Sequence, residues 1–217
     1  TENISLYIAQ TEFQKKYLIG ENIPSEHIVV IPNMSSDTNN PVNNNLGDYI
    51  GYVGRISPEK GIDTLINAAI ECNHISFKLA GNYGRMPHLS EKKPENLDLV
   101  GHIASSSLHA FYNNSRIIVL PSICYEGFPG VLIEAMLHGK PIICSRIGGL
   151  SEIVDDRITG LLFEPGNIND LVKKIKYLWA RPDVSSKMGH NGREKALREY
   201  SANRYYERLM SAYEKVL

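Results

Sequence analysis

Residues 49–68 read YIGYVGRISPEKGIDTLINA. Tyr49 to Val53 is a short apolar run that reads as a strand. Gly54 ends it, a polar turn carries Arg55 and Lys60, and Gly61 opens a helix over residues 61–72. A strand that turns directly into a helix is the repeating element of an α/β fold, so the question is whether the rest of the chain repeats it.

It does. Further strands are expected at ISLYIAQ (4–10), HIVVIPN (27–33), ISFKLAG (75–81), LDLVG (97–101), RIIVLPS (116–122), PIICS (141–145) and TGLLFEP (159–165). Helices are expected over residues 12–21, 106–114, 130–138, 168–180, 183–199 and 201–216. The strands are unbroken apolar runs, as in strands buried on both faces. This pattern predicts a doubly wound, parallel, Rossmann-like sheet. Ligands in such sheets sit outside the carboxyl ends of the strands, so the loops after the strands are the places to search.

Composition narrows the options. The chain has 217 residues, with 42% hydrophobic and 22% charged residues, ordinary for a globular domain. Its formal net charge is -1, from 23 basic and 24 acidic side chains, which gives no global reason to expect nucleic acid as a partner. Cys72, Cys124 and Cys144 lack CxxC spacing and read as reduced thiols of a cytoplasmic protein. No ligand spacing points to a metal. There is no signal peptide and no long apolar run. The chain starts at Thr1, which suggests a fragment of something longer. Residues 33–48, NMSSDTNNPVNNNLGD, read as an exposed linker. The last stretch, REKALREYSANRYYERLMSAYEKVL (193–217), has no glycine or proline and reads as helix broken near Ser201.

Three loops carry chemistry. In the first, Arg55 and Lys60 stand around a helix start, where cations are unfavourable by about 0.3–1 kcal/mol each. An anion bound between them would reverse that, with Gly54 and Gly61 allowing close approach. On these residues alone, a phosphate cradle and a solvated pair held by Glu59 or Asp63 stand level. The GxxxxGK[ST] loop is absent.

The second is YEGFPGVLIEAMLHGKPI, residues 125–142. Pro129 and Gly130 start a helix that Gly139 stops. Helical side chains lean toward the N-terminus, so Glu134 is expected to point back toward Glu126, with the amides of Phe128, Gly130 and Val131 between them. Carboxylates accept paired hydroxyls, at about 1.5–3 kcal/mol per charge-assisted bond, so the pair suits a polyhydroxylated, anionic ligand. By spacing alone the plainer reading leads: Glu126 in a surface loop and Glu134 paired with Lys140. In the third loop, Gly148 and Gly149 follow a strand and precede a short helix. There Glu152, Asp155 and Asp156 read by default as caps or surface charge, and Asn167 as a helix cap.

Taken in order, GRISPEKGIDTLINA, KLAGNYG, LVGHI and IIVLPSICYEGFPGVLIEAMLHGKPIICSRIGGLSEIVDDRITGLLFEPGN resemble the donor-binding half of a retaining glycosyltransferase of the GT-B fold, family 4. The resemblance covers about residues 5–200 and implies one donor-binding domain over 1–200. Residues 201–217 would be a helix that crosses back to an N-terminal acceptor domain outside this sequence. IPNMSSD departs from the family's usual PNG turn.

The resemblance implies roles. Arg55 and Lys60 hold the donor diphosphate, and Glu126 sits under the sugar. Gly54 and the segment Gly127, Phe128, Pro129, Gly130 and Val131 contact sugar and phosphate through backbone. Glu134 accepts from the ribose, and the backbone of His102 and Ile103 flanks the base. Glu126, Arg55 and Lys60 would be the catalytic set, with no metal or cofactor. The donor would be an NDP-sugar, UDP- or GDP-linked, and the acceptor a glycan or lipid-linked sugar reached through the other domain. Transfer is expected to keep anomeric configuration through a front-face mechanism, in bacterial surface polysaccharide synthesis. The full-length protein would be cytoplasmic, or peripheral at the inner membrane face. A non-catalytic nucleotide-sugar module, or a phosphorylase or epimerase on the same fold, are the alternatives.

Overall fold

A computed structural model describes residues 4–35 and 46–216. Most of the predicted linker, residues 36–45, lies outside the described residues. In chain order the elements are β1 (Tyr7–Ala9), α1 (Glu12–Gly20), β2 (Ile28–Val30), β3 (Tyr49–Val53), α2 (Ile62–Glu71), β4 (Ser76–Ala80), β5 (Leu97–Gly101) and α3 (Ser105–Asn114). Then follow β6 (Ser115–Leu120), α4 (Gly130–Leu137), β7 (Ile142–Ser145), α5 (Leu150–Ile153), β8 (Gly160–Phe163), α6 (Ile168–Trp179), α7 (Pro182–Glu199) and α8 (Ala202–Glu214).

Six strands form one parallel sheet in the order β5-β4-β3-β6-β7-β8. The chain runs outward from β3 to β5, returns to place β6 beside β3, and then runs outward the other way. The order reverses between β3 and β6. A crevice opens there at the carboxyl ends, because the connections leave in opposite directions. All six residues of β6 but Arg116, and all of β7 and β8, are buried, as the unbroken apolar runs require. The edge strand β5 alternates instead, with Asp98 and Val100 turned outward.

Local signals set the helix ends. Thr11 caps α1 by accepting from the Gln14 amide at 3.1 Å, and Asn167 caps α6 by accepting from the Asp170 amide at 3.0 Å. Ser201 starts α8 where the break was expected, its hydroxyl 3.4 Å from the Arg204 amide. On the packed side of the sheet, α7 lies so close to α4 that a Cβ at Gly189 would meet the Gly139 carbonyl oxygen at 1.9 Å. At the amino end of β6, the Arg116 guanidinium lies 4.4 Å from the Trp179 ring centre and donates to the Trp179 carbonyl.

Within residues 1–200 two strands stand apart from the six. Strands β1 and β2 pair in parallel with each other, in a two-stranded sheet separate from the six. Helix α8 lies beside them: one cleft there is lined by Ile4, Leu6, Ile8, Leu209 and Tyr213. A strand's composition shows that it is buried, but not which sheet it joins.

Candidate functional site

The crevice between β3 and β6 brings the first two loops together. After β3 the chain turns through Pro58–Lys60 as one 3-10 turn, and Gly61 takes φ 71° to start α2. Only glycine fits here. The conformation is left-handed, and a Cβ would sit 1.8 Å from the carbonyl oxygen of Pro121, at the end of β6. The Ile123 amide donates to the Glu59 carbonyl at 3.1 Å and ties the two loops a second time.

Lys60 is thereby aimed at Glu126. Its Nζ donates to both carboxylate oxygens at 2.7 Å, and the two side chains are only 18% and 11% exposed. The Ser122 hydroxyl also donates to Glu126 Oε1. Arg55 stands farther out, 52% exposed, 3.4 Å from Glu59, which Arg85 also approaches at 3.4 Å. The Tyr52 hydroxyl donates to the Arg55 carbonyl at 2.7 Å and holds the turn from beneath. Its pKa lies above the ordinary tyrosine range, through burial first and then the charge of Glu126. The cations at this helix start therefore have anions, but both come from the chain itself.

Glu134 leans toward the start of α4, with Oε1 4.0 Å from where a Gly130 Cβ would lie. Its Oε2 accepts from the Tyr112 hydroxyl of α3 at 2.8 Å. Burial, then the Glu134 charge, raises the Tyr112 pKa, so the phenol stays a donor. The expected Glu134–Lys140 pair is not the arrangement found. Lys140 is buried and donates to the Asn113 carbonyl at 2.8 Å. No side-chain hydrogen bond from the capping residue closes the start of α4 or of α2.

Phe128 turns its ring inward, edge-on to Tyr200 at 5.3 Å, while Gly127 and Gly130 on either side are exposed. His102 and Ile103 follow β5 and line a different cleft, of about 770 Å³, along α3 with Ala104 and Ser107. Arg55, Lys60, Glu126 and Glu134 thus stand on the elements at the switch point, while His102 and Ile103 lie after the edge strand, in the other cleft. Among the described residues, no three His, Cys, Asp or Glu side chains cluster as a metal site would require. None of the helices there is long and apolar enough to cross a membrane. Cys72 and Cys144 are buried, Cys124 is half-buried in the loop before Glu126, and none is in a disulfide.

The third loop has a role that its sequence did not show. Glu152, on α5, accepts from the amides of Glu12 and Phe13 at 2.7 and 2.6 Å, at the start of α1. Gly149 packs against Thr11, where a Cβ would meet Cγ2 at 2.8 Å. Phe13 stacks on Tyr125 with ring centres 4.7 Å apart. Ser122 and Tyr112 were missed, and Glu152, read as a cap or surface charge, is a cap, but of a distant helix. Each acts on a partner brought near by folding, and only Ser122 carried a local signal, its position at the end of β6.

Comparison with known proteins shows the family. The family model for glycosyl transferases group 1 matches residues 10–195. An uncharacterized glycosyltransferase of Methanocaldococcus jannaschii is 34% identical over 200 residues, covering 89% of this chain and 55% of its own length. The capsular polysaccharide biosynthesis glycosyltransferase CapM of Staphylococcus aureus is 30% identical, covering 76% of this chain and 45% of its own. The Anabaena protein HepE, solved in complex with UDP-glucose, superposes with a TM-score of 0.86 over 97% of this chain and 64% of its own, at 21% identity. This last likeness is one of fold: a Rossmann-like domain of GT-B type. The chain spans about half the length of the curated relatives it matches. With a six-stranded parallel sheet, its switch-point crevice and a family match over most of its length, the chain belongs to the group 1 glycosyl transferases.

Proposed function

We propose that this chain is the donor-binding half of a retaining glycosyltransferase of family 4, which moves a sugar from an NDP-sugar to an acceptor hydroxyl. The observation that carries the reading is the Lys60–Glu126 pair at the switch point. Lys60 and Glu126 neutralise each other in a half-closed crevice beside two uncapped helix starts. A diphosphate would draw Lys60 and Arg55 away from Glu126 and Glu59, and the freed Glu126 carboxylate would then accept the sugar hydroxyls. Glu134 Oε1, not engaged by Tyr112, would accept from the ribose.

In the transfer, the bond from the anomeric carbon to the phosphate oxygen breaks. The acceptor oxygen bonds the same face of that carbon, and the departing phosphate takes the acceptor proton. Charge grows on the departing diphosphate, where Lys60, Arg55 and the α2 and α4 amides would stabilise it without a metal or cofactor. UDP is the first nucleotide to try, followed by GDP. CapM's name points toward cell-surface polysaccharide, and a glycan or lipid-linked acceptor would be met by the rest of the longer protein. That protein would work in the cytoplasm or at the inner membrane face.

Calorimetric titration with UDP, GDP and ADP in EDTA tests the reading. One nucleotide should bind, and Arg55→Ala and Glu134→Ala should each weaken it about tenfold, as loss of one charge-assisted bond implies. Undiminished binding in both variants would refute the assignment.

A further inference from the structure

The start of α1 and the 148–149 loop meet in a seam that the proposed chemistry does not use. A helix start offers unpaired amides and attracts an anion. Here the anion is a side chain 140 positions away, and both of its oxygens are spent on the Glu12 and Phe13 amides. The Gln14 amide goes to the Thr11 hydroxyl and the Lys15 amide to the Thr11 carbonyl, so the start of α1 is fully satisfied. Glu152 is itself anchored, since Lys195 donates to its carbonyl at 3.1 Å and to the Asp155 carboxylate at 2.8 Å. The contact therefore joins the β1–α1–β2 unit to the main sheet.

What the seam presses on is the loop that carries Glu126. A Cβ on Gly127 would lie 3.1 Å from Gln14 Nε2, and one on Gly149 would lie 3.3 Å from the Gly127 carbonyl oxygen. A Cβ on Gly148 would lie 3.1 Å from the Tyr125 ring, whose other neighbour is Phe13. Tyr125 remains 67% exposed, so one side of it is open to a ligand. At these three glycines α1, the 148–149 loop and the Tyr125–Gly127 loop approach closely, so a shift of α1 bears on Gly127, next to Glu126.

We propose that Glu152 is a positioning residue: its carboxylate clasps the start of α1 against the Tyr125–Gly127 loop and so fixes the wall of the site where the sugar of the donor sits. This rests on the donor-site reading above. The clasp touches neither Arg55, Lys60 nor Glu134, so it governs the sugar and not the nucleotide.

Two measurements on the 217-residue chain test this, with Glu152→Ala and Glu152→Gln. Hydrogen exchange without ligand should show the amides of Glu12 and Phe13 losing about tenfold or more of their protection in Glu152→Ala. Glu152→Gln, which keeps one carbonyl oxygen, should restore part of it. Calorimetry with UDP and UDP-glucose should give a UDP Kd unchanged within about twofold. The extra affinity contributed by glucose should fall about fivefold in Glu152→Ala and less in Glu152→Gln.

Unchanged protection would overturn the clasp. Lost protection with an unchanged ratio of the two Kd values would make Glu152 a structural contact only and overturn the positioning role. If the wild-type chain binds neither ligand, the donor-site reading fails and the positioning role falls with it, while exchange still decides the clasp.

Discussion

Lys60 and Glu126 surrender most of their water to each other, and that exchange holds only while both charges are present. Lys60→Met would leave the Glu126 carboxylate with the Ser122 hydroxyl as its donor. We expect a loss of about 1–3 kcal/mol, below the figure for fully buried pairs because both groups keep some solvent. The double variant Lys60→Met/Glu126→Gln should lose less than Lys60→Met alone, which urea unfolding would show. Tyr112→Phe removes the bond that orients Glu134, and should weaken nucleotide binding several-fold while the fold persists. At this scale the sequence was half legible. Glu126, Glu134, Arg55 and Lys60 stood out because carboxylates and cations around glycine-led helix starts are locally costly. Their partners Ser122 and Tyr112 are ordinary residues until the fold aims them.

The elements follow the spacing of the apolar residues closely. Every predicted strand and helix has a counterpart, because buried parallel strands and amphipathic helices leave strong local signatures. The membership of β1 and β2 in a separate sheet was not legible, since pairing is a property of two segments. Nor was the tight approach of α4 and α7. Gly189 and Gly192 would weaken an isolated helix by about 1 kcal/mol each relative to alanine, yet Gly189 meets the Gly139 carbonyl at a distance no Cβ allows. Gly189→Ala should therefore destabilise despite its higher helix propensity. We expect a drop of several degrees in Tm, and a gain instead would mean that α7 can slide outward without penalty.

For the molecule as a whole, the sheet order places chemistry at one end. The carboxyl-end rule singled out the candidate loops before the strand order was known. Stability has its own pH signature through Lys140, which burial brings down to about 8. Unfolded lysine titrates near 10.4, so between these values the unfolded chain holds a proton that the folded chain has lost. Lys140 thus weighs against folding at neutral pH by up to about 3 kcal/mol, and this penalty should fade from about pH 8 to 10. The sign reverses for buried Tyr52 and Tyr112, raised mainly by burial: above pH 10 the folded chain keeps protons that the unfolded chain loses. Between about pH 8 and 10 the urea midpoint of the wild type should gain on that of Lys140→Met, while the Cys72 and Cys144 thiols, both raised by burial, lower the two alike as pH rises.

The stack of Arg116 on Trp179 decides what light can report. The chain has one tryptophan, at the amino end of the sheet, and the proposed donor crevice lies at the other end of β6. Indole emission should therefore follow the melting of α6 and β6 together, and stay flat while a nucleotide enters the crevice. A silent fluorescence titration would not count against binding. An optical probe of the site has to be placed there, and Cys124, half-buried before Glu126, is a thiol that a label can reach.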